Sequence, residues 1–493
     1  MLIRNTLYNL GGLGLPLVVA VGSMPVLIHS LGDARFGVLT LIWAVVSYFG
    51  LFDLGLGRAL TQQLAVLFAE QRESDIPATV STSLWILGLL GIVAGGLMWI
   101  FADWGVARIS YHGNLKEIQD SIRIMAFAMP FIVLTSGFRG ILEAKLAFGI
   151  INAIRLPMGI FTFIGPLIVV LWVRNDLAAI TLVLTFGRAV ACVVHGYFCT
   201  RCVDMRGDYV TLNLSIVKDL LKSGGWMTIS NIVSPLMGYF DRFIIGLTIS
   251  AAAVAYYVTP FEIVSKLWVI PGALTAVIFP KFASYVIGDD EFSKVLFRKA
   301  LTILFLVLFP ATLVTAFFAK EILQIWIGAD FSQNSYILLQ IFSFGILINC
   351  LSHIPFTFLQ GVGKARITAI IHMIEFPLYV LILWGATVRW GLFGAAFAWL
   401  LRILIDSAAM FLQSFTILKL RFSVSSIVLL SVLFGLVTTS FLLSAIRLTE
   451  TRFILLPIVL MSVNYFCWRL LFTTENRKMI RHRLQTMLGQ GNY

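Results

Sequence analysis

Continuous apolar runs of about twenty residues, repeated along the chain, constrain this sequence more than any other feature. A run of that length crosses the hydrocarbon core of a bilayer as an α-helix. The strands of a membrane β-barrel would instead alternate apolar and polar residues in segments of about ten. The sequence therefore predicts an all-α polytopic membrane protein with about 14 transmembrane helices. The predicted spans are 6–30, 37–60, 79–102, 122–142, 148–173, 177–199, 223–247, 252–280, 300–319, 335–360, 366–388, 391–415, 424–446 and 453–473.

The composition excludes soluble alternatives. Charged residues make up 12% of the chain and hydrophobic residues 59%, whereas about 25% of an ordinary globular domain is charged. The net charge of +12 does not indicate nucleic acid, because no basic segment with interleaved aromatic residues lies outside the spans. The five cysteines form no disulfide pattern, and Cys199 and Cys202 have no second pair with which to hold zinc. We expect neither a metal nor a cofactor.

The distribution of Lys and Arg predicts the orientation. Fourteen spans place both termini on one side, and the loops and span ends on that side carry 20 basic residues against 9 on the other. Because cytoplasmic loops are enriched in basic residues, we expect both termini in the cytoplasm. The longest loops, near 103–121, 200–222 and 281–299, have about twenty residues each, so function must reside in the helix bundle.

A weak internal repeat divides the chain. Lys145, Arg155 and Pro157 enter one span in the same order as Lys364, Glu375 and Pro377 enter another. Later, Arg174 and Arg188 are echoed by Arg389 and Arg402. Such repeats are common in transporters, whose substrate sites lie between the repeats. We predict a six-helix lobe over 1–222, a second over 223–420, and two trailing helices with a basic cytoplasmic tail over 421–493.

Several ionisable residues fall at membrane depth, where a charge costs at least about 2.5–3.5 kcal/mol and normally faces a partner or a wet cavity. The basic ones include Arg58, Arg155, Arg188, Arg242, Lys266 and Arg402, and the acidic ones are Asp53, Asp241, Glu262, Glu375 and Asp406. Glu262 and Lys266, like Arg402 and Asp406, are four residues apart and share a helix face. Each such pair either locks helices together or lines a cavity, and the sequence leaves both interpretations open.

The remaining arginines, Arg58, Arg155, Arg188 and Arg242, have no acidic residue four positions away. Arginine holds phosphate through a planar, permanently charged fork. An excess of arginine inside a bundle therefore favours an anionic ligand.

Five segments carry a family resemblance: RNTLYN over 4–9, LGDARFG over 31–37, LFDLGLGRA over 51–59, RGILEA over 139–144 and QGVGK over 360–364. With the span number and the absence of soluble domains, they resemble the polysaccharide transporter family. That family comprises the Wzx-type flippases of O-antigen and exopolysaccharide units, within the superfamily that also holds multidrug exporters and lipid II flippases.

The resemblance implies two six-helix lobes in a V shape around a cationic cavity, in the bacterial inner membrane. It implies a polyprenyl-diphosphate-linked oligosaccharide, moved from the cytoplasmic to the periplasmic leaflet by alternating access through that cavity. The protein would act in contact with membrane lipids and beside polysaccharide-assembly enzymes. We expect Arg58, Arg155, Arg188, Arg242 and Lys266 to contact the diphosphate or the sugars. Gating or coupling residues would be Asp53, Glu262, Glu375, Arg402 and Asp406.

Three other functions compete with this one. An oligosaccharide polymerase or ligase would need a catalytic constellation, usually on a large outer loop, and the outer loops here are short. A cation-coupled drug exporter of the same fold would more naturally carry an excess of buried carboxylates. A structural scaffold would not need unpaired arginines in the membrane. We therefore predict a transporter with no catalytic residues.

Overall fold

The structure is a computed structural model that describes most of the chain. It describes residues 2–49, 56–108, 111, 113–145, 147–202, 233, 236–283, 290–419, 435, 437–439, 441–443 and 454–463.

These residues are almost entirely helical, and no strand occurs among them. The first eight helices are α1 (Leu2–Leu31), α2 (Asp33–Phe49), α3 (Leu56–Ala69), α4 (Ile76–Val106), α5 (Leu115–Ala126), α6 (Met129–Ala144), α7 (Phe148–Ile168) and α8 (Leu177–Cys202). The next seven are α9 (236–248), α10 (Ala251–Ser265), α11 (Val269–Ala283), α12 (Asp290–Phe317), α13 (Ala319–Trp326), α14 (Ala329–Gly361) and α15 (Ala365–Ile417). A π-helical turn at Val169–Val173 extends α7, and a 3₁₀ turn at Lys266–Trp268 joins α10 to α11.

The predicted membrane spans coincide with long helices. Within the described residues, eight helical segments are long and apolar enough to cross a bilayer. Helix α15 contains two predicted spans, 366–388 and 391–415. It bends at Gly391, whose φ of 59° and ψ of −140° belong to a region that glycine adopts readily. The all-α polytopic fold is confirmed, and the chain is a multi-pass membrane protein.

Some predicted spans differ or lie outside the description. The span 37–60 was predicted to end near residue 60, but α3 continues to Ala69. Its polar residues Gln62 and Gln63 interrupt the apolar run, yet Leu60, Leu64 and Leu67 remain buried on one face and hold the helix in place. The spans 424–446 and 453–473 and the start of 223–247 lie largely outside the described residues.

The chain forms two compact units. The first comprises Met1–Thr259 and Ala365–Trp399, and the second comprises Pro260–Lys364 and Leu400–Tyr493. The predicted lobe boundaries, at 222 and 420, fall outside the described residues, so the division into 1–222, 223–420 and 421–493 stays a prediction. The V shape also stays a prediction.

In the first unit, α6 lies centrally. It packs against α3, α4 and α8, while α7 packs against α1 and α8. The core at one end is a cluster of leucine, isoleucine and valine side chains from these helices. Its fully buried members include Leu60, Leu64, Leu87, Val133 and Ile141.

In the second unit, α14 is the central helix and packs against α11, α12 and α13. Aromatic rings fill the space between them. Phe358 meets Phe282 edge-on at 5.2 Å between ring centroids and Phe297 at 5.9 Å. Edge-to-face ring pairs of this kind add to the gain from burial alone.

Candidate functional site

Arg188 is a half-buried cation on helix α8 of the first unit. It lies eleven residues into α8, which is about 17 Å from the start of that helix at 1.5 Å per residue. A bilayer core is about 30 Å thick, so this position is near mid-membrane. Among the residues that the structure describes, none hydrogen-bonds or ion-pairs with the Arg188 guanidinium.

Arg155, on the neighbouring helix α7, is more accessible. Its side chain is exposed, and it forms no hydrogen bond or ion pair with another described residue. Helices α7 and α8 pack directly against each other. These two helices therefore carry two of the predicted anion-binding residues.

Asp241 and Arg242 form a buried polar group in the first unit. They are 2% and 4% exposed. The Tyr257 hydroxyl donates a hydrogen bond of 2.8 Å to Asp241 Oδ2, and the Arg242 amide donates to Oδ1 at 2.8 Å. The Arg242 guanidinium lies 4.7 Å from the centroid of the Tyr239 ring, an arrangement that stabilises a desolvated cation. The Asp241 carboxylate thus bonds to a tyrosine of α10, and the Arg242 guanidinium lies over a tyrosine ring of α9.

Helix α9 also contacts the first part of α15. Phe240 and Phe376 meet edge-on with ring centroids 5.8 Å apart. Glu375, the residue before Phe376, is buried. The structure thus places Glu375 on the part of α15 that packs against the helix carrying Asp241 and Arg242.

Glu262 and Lys266 form an ion pair in the second unit. Lys266 Nζ lies 2.6 Å from Glu262 Oε2, as expected for residues four apart on one helix. The pair lies where α10 gives way to the 3₁₀ turn. Trp268 connects this 3₁₀ turn to α14, because its Nε1 donates a hydrogen bond of 2.8 Å to Asn349 Oδ1. Lys266 therefore has a local counter-charge.

Arg402 and Asp406 lie one turn apart on the last part of α15, and Asp406 is almost fully buried. Next to Asp406, Ser407 and Ser352 share a buried hydrogen bond of 2.5 Å that links α15 to α14. These residues therefore lie at a polar contact between helices of the second unit.

Asp53 lies outside the described residues. Arg58 lies in the first turn of α3, and its side chain also lies outside the description. The backbone beside it is tightly constrained, because Thr61 Oγ1 donates to Gly57 O at 3.0 Å and to Gly140 O at 3.1 Å. A Cβ on Gly140 would lie 2.5 Å from Gly57 O. Gly57, from the segment 51–59, and Gly140, from the segment 139–144, therefore meet at this crossing of α3 and α6.

The segment 31–37 forms a network that sequence reasoning did not identify. Arg35 Nη2 lies 3.0 Å from Glu117 Oε2, and the Glu117 side chain is only 5% exposed. Glu117 Oε1 also accepts a hydrogen bond of 2.8 Å from the Leu177 amide at the start of α8. Burial disfavours the Arg35 charge, but the Glu117 carboxylate and the Tyr111 hydroxyl outweigh it and raise the pKa of Arg35 above its ordinary value. The guanidinium therefore stays charged.

This network shows that alternate loops meet at one end of the first unit. Arg35 Nη1 donates to Asn175 O at 3.3 Å, and Asn175 Nδ2 donates to Ser30 O at 2.5 Å. Tyr256 donates to Asp33 Oδ2. The α1–α2, α4–α5 and α7–α8 connections therefore lie together, as expected for helices that cross the membrane in succession.

Comparison with known proteins places the chain among polysaccharide-related membrane proteins. A family model described as "Polysaccharide biosynthesis protein" matches residues 2–286. The chain is 33% identical over 407 residues to the "Putative O-antigen transporter" of Shigella flexneri, covering 82% of this chain and 96% of that protein. It is 26% identical over 225 residues to the "Probable low-salt glycan biosynthesis flippase Agl15" of Haloferax volcanii, covering 42% and 47%.

Two solved structures show the same fold. One is a multidrug resistance MATE family transporter of the MOP superfamily in an inward-facing conformation, with a TM-score of 0.69 and 15% identity over 84% of this chain and 94% of that one. The other is the lipid II flippase MurJ, with a TM-score of 0.63 and 12% identity over 90% of this chain and 99% of that one.

Proposed function

Because the chain belongs to the polysaccharide biosynthesis protein family, we propose that it is a flippase for polyprenyl-diphosphate-linked oligosaccharides. It moves these units from the cytoplasmic to the periplasmic leaflet for the synthesis of cell-surface polysaccharide. The relative from Shigella flexneri, named as an O-antigen transporter, supports this substrate class.

The observation that carries the proposal is the position of Arg188. A permanent cation near mid-membrane, with no carboxylate beside it among the described residues, is costly. That free-energy cost is offset if an anion binds to Arg188 during each transport cycle. A lipid-linked diphosphate is such an anion, and its charges must cross the membrane together with the sugars.

The proposed binding residues are the membrane arginines. Arg58, Arg155, Arg188 and Arg242 supply donors that fit phosphate oxygens in a forked geometry. The N–H donors of these arginines replace water around the bound diphosphate and stabilise its negative charge. The polyprenyl tail remains in the lipid. Lys266, with its local counter-charge, is a weaker candidate for this role.

The proposal includes a cellular setting. The protein lies in the bacterial inner membrane with both termini in the cytoplasm, consistent with the excess of basic residues on that side. It acts as a translocator without catalytic chemistry, beside the enzymes that assemble and polymerise the units. Fusions of the C-terminus to a fluorescent protein, which is bright only in the cytoplasm, test the orientation.

The test of function measures where lipid-linked oligosaccharide accumulates. Cells that lack this protein should hold complete units on the inner leaflet, out of reach of an impermeant sugar-labelling reagent applied to spheroplasts. The wild-type chain should restore labelling. Arg188→Gln should reduce the labelling rate at least tenfold, and Arg188→Lys should restore part of it because charge returns without the fork.

The control is Arg174→Gln. Arg174 is exposed and follows the π-helical turn that extends α7, and its Nη2 lies 3.9 Å from Asp176 Oδ2. Substitution of Arg174 should therefore leave labelling unchanged. If units reach the outer leaflet without this protein while polymer is missing, a polymerase or ligase is indicated instead. If the amount and the leaflet distribution of lipid-linked sugar are both unchanged, neither a flippase nor a polymerase is indicated, and the protein is an exporter of small molecules.

A further inference from the structure

The last turns of α4 and the end of α5 carry a cluster of exposed aromatic rings. It comprises Trp99, Phe101, Trp104 and Phe127, which are between 44% and 62% exposed. Trp99 meets Phe127 edge-on with ring centroids 5.3 Å apart, and Phe101 meets Trp104 edge-on at 6.5 Å. We call these four residues the aromatic ledge.

The length of α4 places the ledge at the edge of the membrane. The helix has 31 residues, which is about 46 Å at 1.5 Å per residue, whereas the hydrocarbon core of a bilayer is about 30 Å thick. Trp99, Phe101 and Trp104 lie in its last eight residues. Tryptophan is enriched where a helix leaves the hydrocarbon and reaches the lipid headgroups. The ledge therefore lies at the depth of the headgroup phosphates.

Two arginines lie over the indole rings of the ledge, and the first already has a counter-charge. The Arg123 guanidinium lies 5.6 Å from the centroid of the Trp99 ring. Its Nη2 donates hydrogen bonds of 3.0 Å and 3.1 Å to the two carboxylate oxygens of Asp103, which also accepts a hydrogen bond from Gln119. The charge of Arg123 is therefore balanced within the protein.

The second arginine, Arg108, is held in place but its charge is not balanced. Its guanidinium lies 3.9 Å from the centroid of the Trp104 ring, and its Nη1 donates a hydrogen bond of 3.3 Å to the Trp104 carbonyl. Among the residues that the structure describes, no carboxylate pairs with it. The ring restricts the side chain, so binding an anion costs Arg108 little conformational freedom. Its remaining N–H donors are exposed.

This arrangement fits a phosphate better than a sugar. A sugar would stack on an open ring face and bond to a carboxylate, but Arg108 covers one face of Trp104 and Arg123 and Gln119 occupy the Asp103 oxygens. A guanidinium instead matches the oxygens of a phosphate group in a forked geometry. The rings beside it match the first methylene groups of lipid chains.

We propose that the aromatic ledge with Arg108 is a binding site for an anionic phospholipid. Arg108 binds the phosphate, and the ledge contacts the upper part of the acyl chains. The site goes beyond the general contact with lipid that every spanning helix makes, because it selects a headgroup whose phosphate charge is not offset by an ammonium group. In the proposed orientation it faces the periplasmic leaflet, and it does not depend on which substrate is transported.

The experiment measures lipid binding to the purified full-length chain in detergent. Native mass spectrometry gives the fraction of protein that holds phosphatidylglycerol as this lipid is titrated. Arg108→Gln should weaken the tightest binding step at least about fivefold, because a charge-assisted contact is lost. Arg108→Lys should restore part of it, since the charge returns without the fork. Trp104→Leu should also weaken this step, because Arg108 loses the ring that holds it.

The matched control is Arg174→Gln. Arg174 is an exposed arginine at the same end of the first unit, but its neighbour is Asp176 and no described ring lies under it, so binding should stay at the wild-type level. Phosphatidylethanolamine should bind the wild-type protein more weakly than phosphatidylglycerol, because its ammonium group offsets the phosphate charge. Size-exclusion chromatography confirms that each variant is folded.

Three results would overturn the proposal. One is wild-type binding of phosphatidylglycerol by folded Arg108→Gln, and another is equal binding of the two phospholipids. The third is tighter, Arg108-dependent binding of a polyprenyl diphosphate, which would assign these residues to the transported lipid instead. Loss of oligosaccharide transfer plays no part in this readout, so failure of the proposed transport function would leave the lipid site standing.

Discussion

The Glu262–Lys266 pair shows what a local rule predicts at the scale of single residues. A spacing of four places both side chains on one helix face, and the structure finds them 2.6 Å apart. The bond between Tyr257 and Asp241 could not be predicted in this way. It joins two helices whose mutual orientation depends on packing, and no spacing rule covers a separation of sixteen residues. The same limit hid the Arg35–Glu117 pair.

The pairing predicts how Lys266 responds to substitution. Lys266→Gln alone should remove the ion pair with the partly buried Glu262 and lower the melting temperature in detergent. The double variant Glu262→Gln with Lys266→Gln should recover most of that loss. Contacting ionic residues typically couple by about 0.5–3 kcal/mol. Melting curves of the wild type, both single variants and the double variant give the coupling energy.

Transport by the same four proteins decides the role of Lys266. If the pair serves only to lock α10 at its break, the double variant should transfer oligosaccharide at the wild-type rate. A double variant that is stable yet inactive would contradict this, and transport by the two single variants would then show whether Lys266 or Glu262 is required.

At the scale of helices, the length of the apolar runs was enough to predict most of the membrane-spanning helices. The break in α15 at Gly391 coincides with the gap between two predicted spans, because a glycine and charged Arg389 interrupt the apolar run there. The continuation of α3 to Ala69 was not predicted, because it depends on the buried leucine face that α3 presents to α4 and α6. Which helices cross, and where, also required the structure.

The crossing of α3 and α6 leads to a prediction for Gly140. Gly140→Ala should destabilise the protein, because the new methyl would lie 2.5 Å from the backbone oxygen of Gly57 and a backbone cannot yield as a side chain can. Overpacking of this kind costs about 1–3 kcal/mol. The melting temperature in detergent should therefore fall, and transport should fall with it, since Arg58 follows Gly57 directly.

The matched control is Gly96→Ala on α4, where a Cβ would meet nothing within 4 Å. Alanine favours a helix over glycine, so this variant should be as stable as the wild type or slightly more so. Equal stability of the Gly140 and Gly96 variants would show that α3 and α6 are not in the close contact described.

At the scale of the whole molecule, apolar helices divide into those that face lipid and those that face protein. In the 18-residue apolar stretch of α4, only 17% of the residues are buried, whereas 61% are buried in that of α14. Both helices are nevertheless strongly apolar. Hydropathy cannot distinguish these cases, because lipid and protein interior are equally apolar. The distinction comes from which helices pack around which, and so the sequence predicted the spans but not their surroundings.

The exposed face of α4 gives a direct test of membrane placement. Ile92 is 63% exposed and lies midway along α4, so Ile92→Lys should place an unpaired charge in the hydrocarbon at a cost of at least about 2.5–3.5 kcal/mol. The yield of monodisperse protein extracted from membranes should fall several-fold. Ile325 is still more exposed, at 87%, but it lies on the short helix α13 between two long apolar helices. Ile325→Lys should therefore keep the wild-type yield, because the ammonium group can reach the lipid–water interface. The reverse order of yields would place α13 in the hydrocarbon and α4 outside it, which contradicts the predicted spans 79–102, 300–319 and 335–360.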